Sequence, residues 1–181
     1  MATALEALRE SLPDYAKDLK LNLQSLLSET SLTPAQRFGV ALASAAAARE
    51  PNLVRALEAE TLAEAGPETV EDALAANALM GMTNSFYRFR HWVGKESYAQ
   101  LPARLRMNRV AKPAGSKVDF ELFCLAVSAI NACEACVRAH ERTLIEAGLA
   151  EATIHDAIRI AATIHGLAAV LGLSSSSTEH P

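Results

Sequence analysis

Glycine and proline are scarce, with 8 and 7 residues among 181. Turn-dense β architectures use both, so their scarcity points away from such folds. Half the residues are apolar and alanine is heavily used, a composition that favours an all-α globular protein. Long hydrophobic runs are also missing. No apolar stretch reaches the roughly 18–20 residues of a membrane span, so no membrane segment is expected. The N-terminus, "MATALEALRESLPDY", contains acidic residues and lacks the apolar core of a secretory signal. A cytoplasmic location is the expectation. Charge of one sign is absent too: 17 basic against 21 acidic residues leave a net charge of −4. With no basic stripe to set against it, this argues against a nucleic-acid partner. The longest basic cluster, Arg88 to His91 in "FYRFRHW", alternates with aromatics. It can be read as a phosphate site or, more plainly, as a partly exposed helix face or subunit contact.

A chain of this length buries roughly 70% of the surface its unfolded form exposes, so its core needs no disulfide staples. One domain is expected over residues 1–173, with residues 174–181, "SSSTEHP" and its preceding serine, as a flexible tail. Helical periodicity runs nearly throughout. "PDYAKDLKLNLQSLL" lines up Tyr15, Leu19, Leu23, Leu26 and Leu27 on one stripe. Thr33-Pro34 reads as an N-cap with proline at the first helical position, opening a helix from Pro34 to Arg49. Glu50-Pro51 opens another, to about Ala65, and Gly66-Pro67 a third, to about Met80. "KPAGSK", Lys112 to Lys117, is the clearest loop. Helices follow from about Val118 to Ile130, through the cysteine segment to a stop at Gly148, and from about Glu151 to Leu171.

A candidate internal repeat lays "AANALMGMTNSFYRF" (Ala75 to Phe89) beneath "AVSAINACEACVRAH" (Ala126 to His140). Gly81 then meets Ala132, Met82 meets Cys133, Ser85 meets Cys136 and Phe89 meets His140. The implied halves are about 1–111 and 118–173, and only the second carries chemistry.

That chemistry sits in "SAINACEACVRAHERTL", Ser128 to Leu144. Asn131 reads as a helix N-cap with Glu134 three residues on, a capping-box variant. A helix starting there puts Cys133 and Cys136 in or just after its first turn. Its N–H groups and dipole would stabilise a thiolate and draw a thiol pKa from about 8.5 toward neutrality. Three apart, the two sulfurs share a face and can close a disulfide after modest adjustment. His140, four beyond Cys136, shares that face and can exchange the thiol proton. An attacking thiolate, a resolving thiol and a base are the parts of a disulfide oxidoreductase. Two other readings stay open. The cysteines can simply pack in a core, or they can ligate a metal with His140 and either Glu121 or Glu134, although no second Cys/His pair is visible. The lack of a convincing strand before the motif argues against a thioredoxin. Cys124, nine before Cys133, is expected in the core. His155 and His165 are expected in ordinary positions on the last helix, and His91 and Trp92 at a helix or subunit boundary.

The stretch "FELFCLAVSAINACEACVRAHE", Phe120 to Glu141, resembles the alkyl hydroperoxidase D (AhpD) family of the carboxymuconolactone decarboxylase-like superfamily. "LPDYAKDLKLNL", "LASAAAARE" and "ALMGMTNSFYRFRHWV" extend the likeness over most of the chain. The resemblance implies an all-α AhpD-like fold, a homotrimer, and an antioxidant peroxidase that reduces alkyl hydroperoxides and regenerates the peroxiredoxin AhpC. It implies a redox-active Cys133–Cys136 disulfide rather than a bound cofactor or metal. Electrons would come from lipoyl groups of a dihydrolipoamide succinyltransferase served by dihydrolipoamide dehydrogenase. By position, Cys136 matches the more reactive cysteine, Cys133 the second thiol, and His140 and Glu121 the rest of a proton relay. Some relatives carry histidine where this chain has Ala135. A decarboxylase or other small-molecule enzyme on the same fold is the alternative, and a zinc-binding or scaffolding helical trimer a third reading.

Overall fold

The computed structural model describes residues 2–28 and 30–175. Among these residues there are ten α-helices and no strand, as the composition requires. They are α1 (Ala4–Glu10), α2 (Lys17–Ser28), α3 (Pro34–Ala48), α4 (Pro51–Ala65), α5 (Pro67–Val93), α6 (Glu96–Gln100), α7 (Asn108–Ala111), α8 (Lys117–Ile130), α9 (Glu134–Glu146) and α10 (Glu151–Ser175). A 3-10 turn, Asp14–Ala16, precedes α2.

The caps legible in the sequence are present. Thr33 Oγ1 accepts from the Gln36 N–H and Gln36 Oε1 from the Thr33 N–H, each at 3.2 Å, closing a capping box ahead of Pro34. Before Pro51, the buried Glu50 carboxylate accepts from the Leu53 N–H at 2.6 Å.

Other expectations are corrected. Tyr15 is 73% exposed, not on the apolar stripe. It lies in the 3-10 turn, so the 3.6-residue period starts after it, with Leu19 half-buried and Leu23 buried. The side chains of Leu26 and Leu27 lie outside the described residues. α5 runs to Val93 rather than Met80, because Gly81 weakens a helix without ending one. Of the expected tail, residues 174 and 175 belong to α10, and 176–181 lie outside the described residues. α10 is also, by length and composition, apolar enough to cross a membrane. Its apolar content has a local use. Ile154, Ala157, Ile160, Ala161, Ile164, Leu167 and Ala168 recur at helical spacing and are buried, while His155, Arg159 and His165 face outward.

α3 and α8 form the centre. Every residue from Phe38 to Ala45 in α3 and from Phe120 to Ser128 in α8 is buried. Helices buried all round belong to a core rather than a surface. Their close approach depends on Gly39: a Cβ there would stand 2.1 Å from the Phe123 ring. α5 lies across α3 and α8 and also reaches α9. The buried Asp72 of α5 anchors the Lys112–Lys117 loop. Its carboxylate accepts from the N–H groups of Ala114 and Gly115 and from Arg109, all at 2.8 Å. The loop is thereby held against α5, and the start of α8 is set.

Candidate active site

The cysteine segment is a break between two helices. α8 ends at Asn131, Ala132 turns left-handed (φ 54°), and α9 begins at Glu134. Cys133 N–H bonds the Ser128 carbonyl and Ala132 N–H the Ala129 carbonyl, both at 3.1 Å. This is a Schellman motif with alanine where glycine is usual. The same pair of bonds closes α9, there with Gly148 (φ 89°) in the left-handed position.

Asn131 is therefore the C-cap of α8, not the N-cap of the cysteine helix, and Glu134 is the first residue of α9 rather than its third. Cys133 itself stands at the N-cap and Cys136 in the first turn. The two form a disulfide with their Cα atoms 5.3 Å apart. Near a helix N-terminus, unpaired N–H groups and the dipole favour negative charge on sulfur. Cys133 is wholly buried, while Cys136 retains 7% exposure and lines a pocket.

The break is held from the side by one face of α5. Met80, Asn84 and Arg88 recur every four residues, with Thr83, Tyr87 and His91 beside them. Asn84 is 1% exposed. It donates from Nδ2 to Ser128 Oγ at 2.9 Å and accepts at Oδ1 from Asn131 Nδ2 at 3.0 Å. Arg88 Nη1 donates to the Asn131 carbonyl at 2.5 Å, satisfying the end of α8. Arg88 also lies over the Trp92 ring, with its guanidinium carbon 5.1 Å from the centroid. His91 Nε2 stands 3.6 Å from Glu134, which also pairs with Arg138 at 2.9 Å. The "FYRFRHW" segment thus supplies an α5 face that meets the cysteine helix. Trp92 remains 73% exposed. Reading the helix as finished at Met80 hid this stripe. The signal for it was polar residues at helical spacing: Thr83, Asn84, Arg88 and His91.

Glu121, which a single-helix reading would place in solvent, is buried. Its Oε2 meets His140 Nδ1 at 2.7 Å, joining α8 to α9 fifteen residues from Cys136 in sequence. On the other side of the ring, His140 Nε2 lies 3.3 Å from Met80 Sδ. Cys136 and His140 open into one pocket of about 300 Å³, walled by Met80, Thr83, Tyr87, Met107, Val110, Ala135 and Ala139. The wall is predominantly apolar, so it suits an apolar group better than a charged one.

Cys124 is fully buried and unbonded, as the sequence implied. Burial, reinforced by the Glu121 and Asp72 carboxylates, pushes its thiol pKa up and leaves it a weak nucleophile. His155 and His165 are exposed on α10, away from the pocket's lining. Among the described residues no three metal-ligating side chains converge. Glu134, offered above as a metal donor, is exposed and faces Arg138 and His91.

Residues 96–174 match the carboxymuconolactone decarboxylase family. Across 96% of its length the chain is 60% identical to the alkyl hydroperoxide reductase AhpD of Anaeromyxobacter sp. (strain K), spanning 93% of that protein. It is 47% identical to the AhpD of Gluconacetobacter diazotrophicus over 98% of both chains. With the AhpD of Solibacter usitatus it shares 48% identity over 94% of this chain and 97% of the relative.

Proposed function

This chain belongs to the alkyl hydroperoxide reductase AhpD family, and from that premise we propose that it reduces alkyl hydroperoxides through the Cys133–Cys136 pair. The observation that carries the reading is the pairing of a pocket-facing Cys136 with a buried Cys133 at the start of α9, beside the Glu121–His140 contact.

In the cycle we infer, a dihydrolipoyl thiolate attacks Cys136 Sγ, the sulfur that meets the pocket. The internal S–S bond breaks and Cys133 leaves as a thiolate that takes up a proton. The second lipoyl thiol attacks the lipoyl sulfur of the mixed disulfide and releases the Cys136 thiolate, giving oxidised lipoyl and a reduced dithiol. Protons move through His140 and Glu121. The Cys136 thiolate then attacks the peroxide oxygen. The O–O bond breaks, the alcohol leaves with a proton, and Cys136 becomes a sulfenic acid. Cys133 attacks that sulfur, water departs, and the disulfide is restored. By the same exchange, Cys136 attacks the disulfide of the peroxiredoxin AhpC and Cys133 resolves the mixed bond. The electron source is a lipoylated dihydrolipoamide succinyltransferase recharged by dihydrolipoamide dehydrogenase. No histidine stands at Ala135 to share the proton traffic, so His140 and Glu121 carry it.

A homotrimer accompanies this reading. Phe89, Trp92, Tyr98 and Leu101 expose apolar surface along the end of α5 and α6, which supports a contact between copies.

The test is lipoamide-dependent peroxide reduction by the purified protein, coupled to NADH oxidation through dihydrolipoamide dehydrogenase, with and without AhpC. Turnover should rise with AhpC. It should fall to background in Cys136→Ser and Cys133→Ser, while Cys124→Ser keeps it. Turnover that survives loss of either paired cysteine would reject the mechanism and favour a decarboxylase-like, thiol-independent activity on this fold.

A further inference from the structure

Met80 has surroundings unusual for a core methionine. It is 3% exposed, yet three polar groups face its sulfur: His140 Nε2 at 3.3 Å, Thr83 Oγ1 at 3.5 Å and Asn84 Nδ2 at 3.7 Å. A thioether has no proton and acts only as a weak acceptor. At 3.3 Å, an unprotonated Nε2 would set its lone pair against those of the sulfur. The contact is attractive only when Nε2 carries hydrogen. The other ring nitrogen meets a carboxylate oxygen at 2.7 Å, a separation that needs one proton between them. Together, the two contacts call for one proton on Nε2 and one shared between Nδ1 and Glu121.

We propose that Met80 is a positioning residue of the relay: its sulfur accepts the His140 Nε2–H and so keeps the Glu121–His140 pair loaded with a proton while the disulfide is closed. The inference rests on the reading of Glu121 and His140 as that relay. A thioether suits the task because it is too weak an acceptor to compete with a thiolate. When the second lipoyl thiol displaces the Cys136 thiolate, the Nε2 proton moves from its contact with Met80 to the Cys136 sulfur. When Cys136 is next deprotonated for attack on peroxide, the proton returns to Nε2. No electrons pass through Met80, and its bonds are unchanged throughout.

The same methionine connects the relay to the helix break, since Asn84 also holds Ser128 and Asn131. The titratable groups facing this cluster are Glu121 from α8, Tyr87 from α5 across the pocket and, once the disulfide opens, Cys136 on α9. Lys117 lines a second cavity with Glu121, Cys124 feels the Glu121 carboxylate from the core, and α7 contributes Met107 and Val110 to the pocket. Arg109 of α7 is engaged by Glu71 and Asp72.

The experiment is nitrogen-15 NMR of His140 in the full-length, disulfide-closed protein at neutral pH, for wild type, Met80→Leu and Met80→Gln. Wild type should show a protonated Nε2. Met80→Leu, close in volume, should show Nε2 unprotonated with the proton on Nδ1. Met80→Gln, whose amide oxygen accepts a hydrogen bond, should restore the wild-type pattern. In stopped flow with dihydrolipoamide, Met80→Leu should release Cys136 from the mixed disulfide roughly tenfold more slowly. An unprotonated Nε2 in wild type overturns the proposal, and that reading needs no variant to fold. So does a Met80→Leu protein with wild-type nitrogen shifts and a wild-type rate of Cys136 release. The nitrogen measurements use no peroxide, so a chain that failed to reduce hydroperoxides would leave them interpretable.

Discussion

The middle of α5 and the junction between α8 and α9 fall on one another at an offset of 51 residues, Gly81 against Ala132. α5 passes through Gly81 without interruption, whereas the second segment breaks at Ala132 in a left-handed turn. The residues are the reverse of what local preference asks. Glycine is the poorer helix former, and alanine the poorer occupant of a left-handed position. Local preference is worth about 1 kcal/mol at each site, and the surroundings outweigh it. α5 must stay continuous to present Met80, Asn84 and Arg88 as one stripe. The break must form so that Cys133 caps α9 and Ser128 and Asn131 meet that stripe. A continuous scaffold on one side and an interrupted helix on the other set sulfur, imidazole and carboxylate around one pocket.

Breaking the continuous partner should have the largest effect. Gly81→Pro removes an N–H inside α5 and crowds the preceding turn, at about 3 kcal/mol or more. It should also throw Asn84 and Arg88 out of line with the junction. Urea unfolding and the rate of disulfide opening would both report it. A variant with near-native stability would show that the stripe does not depend on a straight α5.

Cutting the link between the two regions should cost somewhat less. Asn84→Leu leaves the buried Ser128 hydroxyl and the Asn131 amide without their partner, a loss of about 2–3 kcal/mol. Thermal unfolding checks the magnitude. Faster exchange of the Cys133 and Ala132 amides, confined to the junction, would locate it.

The smallest changes return each position to its local preference. Gly81→Ala meets nothing within 4 Å of its new Cβ and should stabilise by roughly 0.5–1 kcal/mol. Ala132→Gly should gain roughly 0.5–1 kcal/mol by relieving the left-handed alanine, less its own entropy cost. The gains should add in the double variant. Destabilisation by Ala132→Gly would mean that the alanine methyl makes a contact worth more than the strain.

Much was legible without coordinates because it depends on neighbours in sequence. The Thr33–Gln36 capping box, the starts of α3, α4 and α5 at prolines, and the Gly148 stop follow from backbone groups a few residues apart. Cys133 and Cys136 stand at the start of α9, with His140 one turn beyond Cys136, for the same reason. The fold class follows from composition, since an alanine-rich chain poor in glycine and proline buries itself most readily as packed helices. What only the tertiary structure decided involves partners far apart in the chain. Glu121 reaches His140 across two helices, Met80 closes the other side of the ring, and Asn84 and Arg88 fix where α8 ends. Asn131 looks like an N-cap by local rules, yet it serves as the C-cap of the preceding helix because α5 occupies its side chain and carbonyl. Local sequence brought the sulfurs together, and long-range packing brought them a proton relay.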